Sequence, residues 1–347
     1  MPLPFQPACL PLLLGALPHR SVAQALEVSR RAGGQLLTWP QLPQRSFREQ
    51  ALVQSVVGFP GLVVDAAQSQ VYVDRAVAAR DLTQLELAYL ENDASFAALD
   101  ADDAAGLAEL LRQRDSLRGV LAVKGQLLGP ISAAAQLIDE QQRPLIYDEA
   151  LFEALAHHLY LRAAWQEQYL REVADATIIC LDEPFLDVVG MPFLPLDWER
   201  VREQIEIVLA GVHGCRALYA CGAVEWEQVL QTSVDMIIAD VYAFGHALTS
   251  AAPALAALLE RGGFVGLGLV PTDEEVLAHT TPEQLLRRAV ALLGDLETAG
   301  VPSAQLARQA VVAPSGTLSQ LSVPLAERAL QLLGDVSRLM REHYRLS

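Results

Sequence analysis

The chain has 347 residues, 52% of them hydrophobic and only 19% charged, with a formal net charge of −17. That length suits one large barrel or two ordinary domains, and that composition belongs to a well-buried globular protein rather than a disordered one. The acidity argues against nucleic acid and against an anionic membrane surface as partners, since both call for a basic face.

At the N-terminus, "MPLPFQPACLPLLLGALPHR" is apolar, but no basic residue precedes the run and Pro2, Pro4, Pro7, Pro11 and Pro18 interrupt it. It reads as a first core strand rather than a signal peptide, and no other segment reaches the ~18 uninterrupted apolar residues of a membrane span. The expectation is a cytoplasmic protein whose four cysteines, Cys9, Cys180, Cys215 and Cys221, are reduced.

In chain order, "ACLPLLLGALPH" predicts the first strand, "SVAQALEVSRRAGG" a helix and "QLLTWPQLP" the second strand. Residues 44–118 are too long for a simple strand–helix connection and predict an insertion. Within it, residues 61–74 ("GLVVDAAQSQVYVD") read as a hairpin around a polar four-residue turn, and acidic helices follow. "SLRGVLAVKGQLLGP" predicts the third strand, with a helix starting near Tyr147. "ATIICLDEPFL" is a continuous apolar run ending in acids, as a strand buried on both faces should be. After its helix come strand "CRALYACG", helix "VEWEQVLQTS", strand "DMIIADVY" and helix "APALAALLERGG". Strand "FVGLGLVPT", helix "PEQLLRRAVALLGDLETAG", strand "QAVVAPSG" and helix "VPLAERALQLLGDVSRLMREHY" complete the series. Three strands plus five, each followed by a helix, predict an α/β fold: a single (β/α)8 TIM barrel over residues 1–347, with the insertion between strands 2 and 3.

The strand ends carry motifs: "LGALPH", "WPQLP", "KGQLLGPIS", "LDEPFL", "YACG", "ADVY", "GLVPT" and "APSGTLSQLS". Their order and placement resemble the superfamily of cobalamin-independent methionine synthase and uroporphyrinogen decarboxylase, and the single-barrel, methionine-synthase-like branch in particular. The resemblance runs over essentially the whole chain. It implies a methyltransferase that moves a one-carbon methyl group to a small acceptor, possible thiols included, with a methyl-corrinoid protein as a possible donor. It further implies a zinc ion that activates the thiol, bound by a His-x-Cys pair after the fifth strand, an acid after the sixth and a cysteine after the eighth. Carried over residue by residue, the cysteine of the pair falls on Cys221 and the acid on Asp240. The histidine falls on Tyr219 and the final cysteine on Gly316, so two of four ligands are absent and the zinc site is degraded or altered. A literal His-x-Cys at His213-Gly214-Cys215 lies about 20 Å away along the fifth strand, at the end of a barrel that serves stability. The second reading is a non-catalytic, small-molecule-binding descendant. A decarboxylase-like lyase ranks third, since only Arg20 follows the first strand to receive substrate carboxylates.

Asp182 and Glu183 are the foremost catalytic candidates, because two carboxylates ending an apolar strand call for something cationic to meet them; a helix cap or an arginine partner is the bland account. Tyr219 shares a strand face with Cys221 and could donate to a substrate oxygen or fill a space once held by metal. His19 ends the first strand as a proton shuttle or a capping histidine. Gln126 is the substrate contact of the third strand, with Lys124 expected to snorkel outward. Glu49 resembles a position near substrate, against the commoner exposed helix acid. Trp39 could stack on a planar ligand or pack a lid. Cys221, against its reading as a small buried hydrophobe, and Asp240 are the metal candidates.

Overall fold

A computed structural model describes residues 3–117 and 119–346. Eight parallel strands form one sheet: β1 (Leu10–Pro11), β2 (Leu36–Thr38), β5 (Ala122–Leu128), β7 (Thr177–Asp182), β8 (Cys215–Ala220), β9 (Met236–Ala239), β10 (Phe264–Val270) and β11 (Ala310–Pro314). The insertion contributes β3 (Leu62–Asp65) and β4 (Gln70–Val73), and a short β6 (Ile138–Asp139) follows β5. Hydrogen-bonded neighbours run in the order β1-β11-β10-β9-β8-β7-β5-β2, and helices surround them, which is the (β/α)8 barrel that the alternation predicts. Every residue of β5, β10 and β11 is buried. That is why these strands read as unbroken apolar runs rather than as alternating ones.

Two layers of packing share this sheet. Leu12, Leu36, Ala122, Ile178, Cys180, Ala217, Tyr219, Ile238, Val311 and Ala313 fill the barrel interior. Val123, Leu127, Ile179, Leu181, Leu218, Ile237 and Val265 face outward against the helices. The 22-residue helix Glu149–Leu170 is largely buried; each leucine it buries, such as Leu155, Leu159 and Leu161, contributes about 1.5–3 kcal/mol.

The barrel closes over a seam. Among the described residues the one bridge between the β1 and β2 segments is Ala16 to Gln41, with Leu17 N donating to Gln41 O (3.0 Å) and Gln41 N to Gly15 O (3.1 Å). The first strand is expected over residues 8–19, but its ladder covers two residues. Ala8 and Cys9 hold positive φ (48° and 62°), which breaks the strand at its start, and Pro11 and Pro18 have no N–H to give the ladder. Gly15 has φ 130°, and a Cβ there would stand 2.5 Å from the Gln126 side chain, so glycine lets the seam close.

The expected hairpin is present, antiparallel with Leu62 opposite Val73 and Asp65 opposite Gln70. It is joined by β6, parallel to β4, which the sequence did not signal. Helices Arg75–Glu91 and Ala105–Arg112 complete the insertion, whose last residue, Arg118, lies outside the described residues. The sixth barrel strand is shorter than expected. It stops at Ala239, because the Asp240 side chain accepts from Ala243 N and starts the helix Val241–Ser250. Among the described residues no single helix is long and apolar enough to cross a membrane.

Candidate functional site

The C-terminal ends of β7, β8, β9 and β11 converge on Tyr219. Its hydroxyl donates to Ser315 O (2.9 Å), and a Cβ on Gly316 would lie 3.7 Å from the Tyr219 hydroxyl oxygen. At Gly268, on β10, a Cβ would touch Ser315 Cα (3.1 Å) and Asp240 Cα (3.2 Å), so the ends of β9, β10 and β11 close on one another there. The positions to which the resemblance assigns zinc ligands, 219, 221, 240 and 316, therefore belong to this cluster of strand ends. Burial, with the charges of Cys221, Asp182 and Asp240, holds the Tyr219 phenol well above its ordinary pKa, so it is a neutral donor.

Asp182 ends β7, half-buried, and lies opposite Tyr219 in the β7–β8 register. It accepts from the Cys180 thiol (Sγ to Oδ1 3.5 Å). Burial pushes its pKa up to about 6, and the positive charge of Lys124 and the Cys180 thiol hold it from rising further. Cys221 is also half-buried. Burial raises its thiol pKa, the Tyr219 hydroxyl opposes the rise, and the charges of Asp187 and Asp240 add to it. Asp187, in the loop after β7, packs against Gly222: a Cβ on that glycine would be 2.3 Å from its Oδ2. Asp240 is raised by burial while capping its helix. Asp182, Asp187 and Asp240 form no ion pair among the described residues.

Several predicted contacts are committed to the packing instead. Glu183 is fully buried and reaches back to the helix Pro130–Gln136. Its Oε1 accepts from Ile131 N (3.0 Å), and its Oε2 accepts from Ser132 N (2.8 Å) and Ser132 Oγ (2.6 Å). Gly129 makes room for it, since a Cβ there would fall 2.2 Å from Oε1. Burial pushes the Glu183 pKa up to about 7 against those three hydrogen bonds, and the Asp182 charge adds to the rise. The helix-cap account thus describes Glu183, not a place in the mouth. Glu49 is fully buried, not an exposed helix acid; it pairs with Arg45 (2.8 Å) and accepts from Ala105 N (3.0 Å), which ties the two ends of the insertion together. Trp39 is also fully buried, its Nε1 donating to Gln166 Oε1 (3.2 Å), so its ring has no free face for a ligand.

Gln126 points into the barrel, but both its polar atoms are used: Nε2 donates to Trp39 O (3.2 Å) and Oε1 accepts from Lys124 Nζ (3.1 Å). Lys124 does not snorkel outward. It is fully buried inside the barrel and also donates to Leu14 O (2.7 Å). His19 is buried, with Nε2 3.3 Å from Glu327 Oε1 on the C-terminal helix and Nδ1 unpartnered among the described residues. The motif His213-Gly214-Cys215 lies at the far end of β8, with Cys215 buried.

A zinc ion does not fit this donor set. Among the described residues no three or more His, Cys, Asp or Glu side chains stand together as a metal-binding group. Tyr219 spends its proton on Ser315 O, Gly316 has no donor, Asp240 serves a helix end, and the Cys221 thiol is held protonated. Sequence reasoning missed Asp187, and its available signal was an acid four residues beyond Glu183 in a strand-end loop. It also missed the Lys124–Gln126 pair, which only the barrel's inward alternation could have placed.

Solved structures share this fold, two of them as follows. One is a B12-independent methionine synthase from Shewanella sp. W3-18-1 in complex with selenomethionine: TM-score 0.61, 14% identity, covering 96% of this chain and 98% of that one. The other is a methyltransferase from Methanosarcina mazei: TM-score 0.56, 13% identity, covering 96% and 94%. No family model matches the sequence, and no curated protein is significantly similar to it.

Proposed function

We propose that this barrel is a small-molecule-binding member of the methionine-synthase-like superfamily, and that its mouth holds a ligand through a cationic nitrogen, without zinc. The observation that carries this is Asp182, a half-buried carboxylate at a strand C-terminus with no ion pair among the described residues. Barrels place their ligand sites at that end. A carboxylate with a pKa near 6 is ionised at neutral pH, and a bound ammonium would repay its desolvation. Asp240 and Cys221 act on Tyr219 alongside Asp182, and Asp187 and Asp240 act on Cys221, so acids of the same sign gather at these strand ends.

The second reading is methyl transfer to a small acceptor, with a corrinoid protein as methyl donor. Two observations favour it: Cys221 sits where the resemblance would place the cysteine of a thiol-activating site, and structures sharing the fold include a B12-independent methionine synthase and a methyltransferase. The poor fit of the donor set to zinc weighs against it. A lyase of the decarboxylase type has least support, since Arg20 alone follows the first strand.

A thermal-shift screen separates these readings. Small amines are compared with their N-acetylated analogues, which lack the charge but keep the shape. Stabilisation by amines and not by the acetylated set supports the proposal. Equal shifts from both sets, or stabilisation by zinc alone, would contradict it.

A further inference from the structure

Of the 25 basic residues 24 are arginine, and the one lysine, Lys124, is sealed inside the barrel. Its ammonium donates to Leu14 O beside β1 and to Gln126 Oε1, while Gln126 in turn donates to Trp39 O beside β2. The pair therefore stitches the seam where the sheet has no ladder. A neutral donor could do that stitching. Placing a full charge there is costly unless an opposite charge shares the interior.

The register supplies that charge. Lys124, Gln126, Cys180 and Asp182 rise along two adjacent strands, with Lys124 beside Ile178, Gln126 beside Cys180, and Asp182 one step higher. The groups around Asp182 are Cys180 and Glu183 on its own strand end, Lys124 and Gln126 on β5, Tyr219 on β8 and Cys221 just after it. Of these only Lys124 is a cation, and it forms no ion pair within contact distance among the described residues.

We propose that Lys124 is the positioning residue of the mouth: its buried ammonium sets the charge state of Asp182, and so the acidity range in which the mouth accepts a cationic ligand. This rests on the reading of Asp182 as the ligand carboxylate, but the link between the two residues is testable without any ligand. Lys124 does not touch the ligand itself; it acts through Asp182.

Because Lys124 is the only lysine, protein labelled with [15N]lysine gives a single side-chain Nζ resonance. In the intact wild-type chain that resonance should move with pH about a midpoint near 6, following Asp182. In Asp182→Asn the movement should vanish. An Nζ signal that stays fixed between about pH 5 and 7.5, or moves equally in Asp182→Asn, overturns the proposal. A second arm follows the Asp182 carboxyl carbon. Removing a nearby opposite charge raises a carboxylate by about one unit or more, so Lys124→Met should move its midpoint to about 7 or higher. Gln126→Leu, which breaks the seam contacts and keeps the charge, should leave it near 6. Equal movement in both variants would mean that packing, not charge, governs Asp182. If Lys124→Met does not fold, the wild-type and Asp182→Asn comparison still decides the question. An Nζ resonance that follows Asp182 without Asp182-dependent amine binding refutes the ligand reading alone, and the reverse refutes this inference alone.

Discussion

Glu183→Gln tests whether this acid belongs to the packing or to the chemistry. The wild-type carboxylate receives three donors, at 3.0, 2.8 and 2.6 Å, and the site has no solvent access. An amide has one accepting oxygen. If that oxygen faces Ser132, its NH2 group meets Ile131 N–H, leaving one buried donor unsatisfied at about 1–3 kcal/mol. Glu183→Ala strips all three donors and opens a void, for about 4 kcal/mol or more. The pH dependence gives a sharper check. The folded pKa near 7 exceeds the ordinary value of 4.5, so between those values the native state keeps a proton that the unfolded chain has released. The stability contributed by this group is complete below about pH 4.5 and is lost as pH rises through 7, by at most about 3 kcal/mol. Glutamine has no such dependence. In urea unfolding, the gap between wild type and Glu183→Gln should therefore be widest at or below about pH 4.5 and should narrow as pH rises through 7. A variant as stable as wild type that no longer binds amines would refute the packing role, and a stability gap that widens with pH would refute the sign.

Two further perturbations bear on the mouth. Tyr219→Phe removes the donor to Ser315 O and should cost about 1 kcal/mol in urea unfolding while keeping the fold; a cost near zero would show that water replaces the bond. Under native conditions iodoacetamide should label Cys221 and none of Cys9, Cys180 or Cys215, which are buried, and should do so more slowly at pH 7.5 than it labels a free thiol, because burial raises the Cys221 thiol. Mass spectrometry of the labelled peptides reads both outcomes, and labelling faster than a free thiol would point to an activated thiolate.

The strands were legible because parallel strands buried on both faces leave unbroken apolar runs, as in "ATIICL" and "FVGLGLV". Alternation with amphipathic helices then left few topologies. Strand lengths were not legible. The positive φ at Ala8 and Cys9 and the capping by Asp240 depend on tertiary context that no period encodes. The candidate site was half legible. That strand ends carry the polar groups followed from the fold, and it brought Asp182, Tyr219, Cys221 and Asp240 to the mouth. Which of two adjacent acids faces it did not follow. Alternation separates Asp182 from Glu183, but only the Ser132 hydroxyl and the gap at Gly129 show that Glu183 turns to a helix end. Trp39 and Gln126 were equally ambiguous, since a buried polar group looks the same in sequence whether its partner is a ligand or a backbone carbonyl.

The most direct test of the account is a calorimetric titration, at pH 7.5, of wild type and Asp182→Asn with the amine that stabilises wild type most. The account predicts binding at one site per chain in wild type, weakened at least about tenfold in the variant, or about 1.4 kcal/mol. Equal affinity in the two proteins would contradict it.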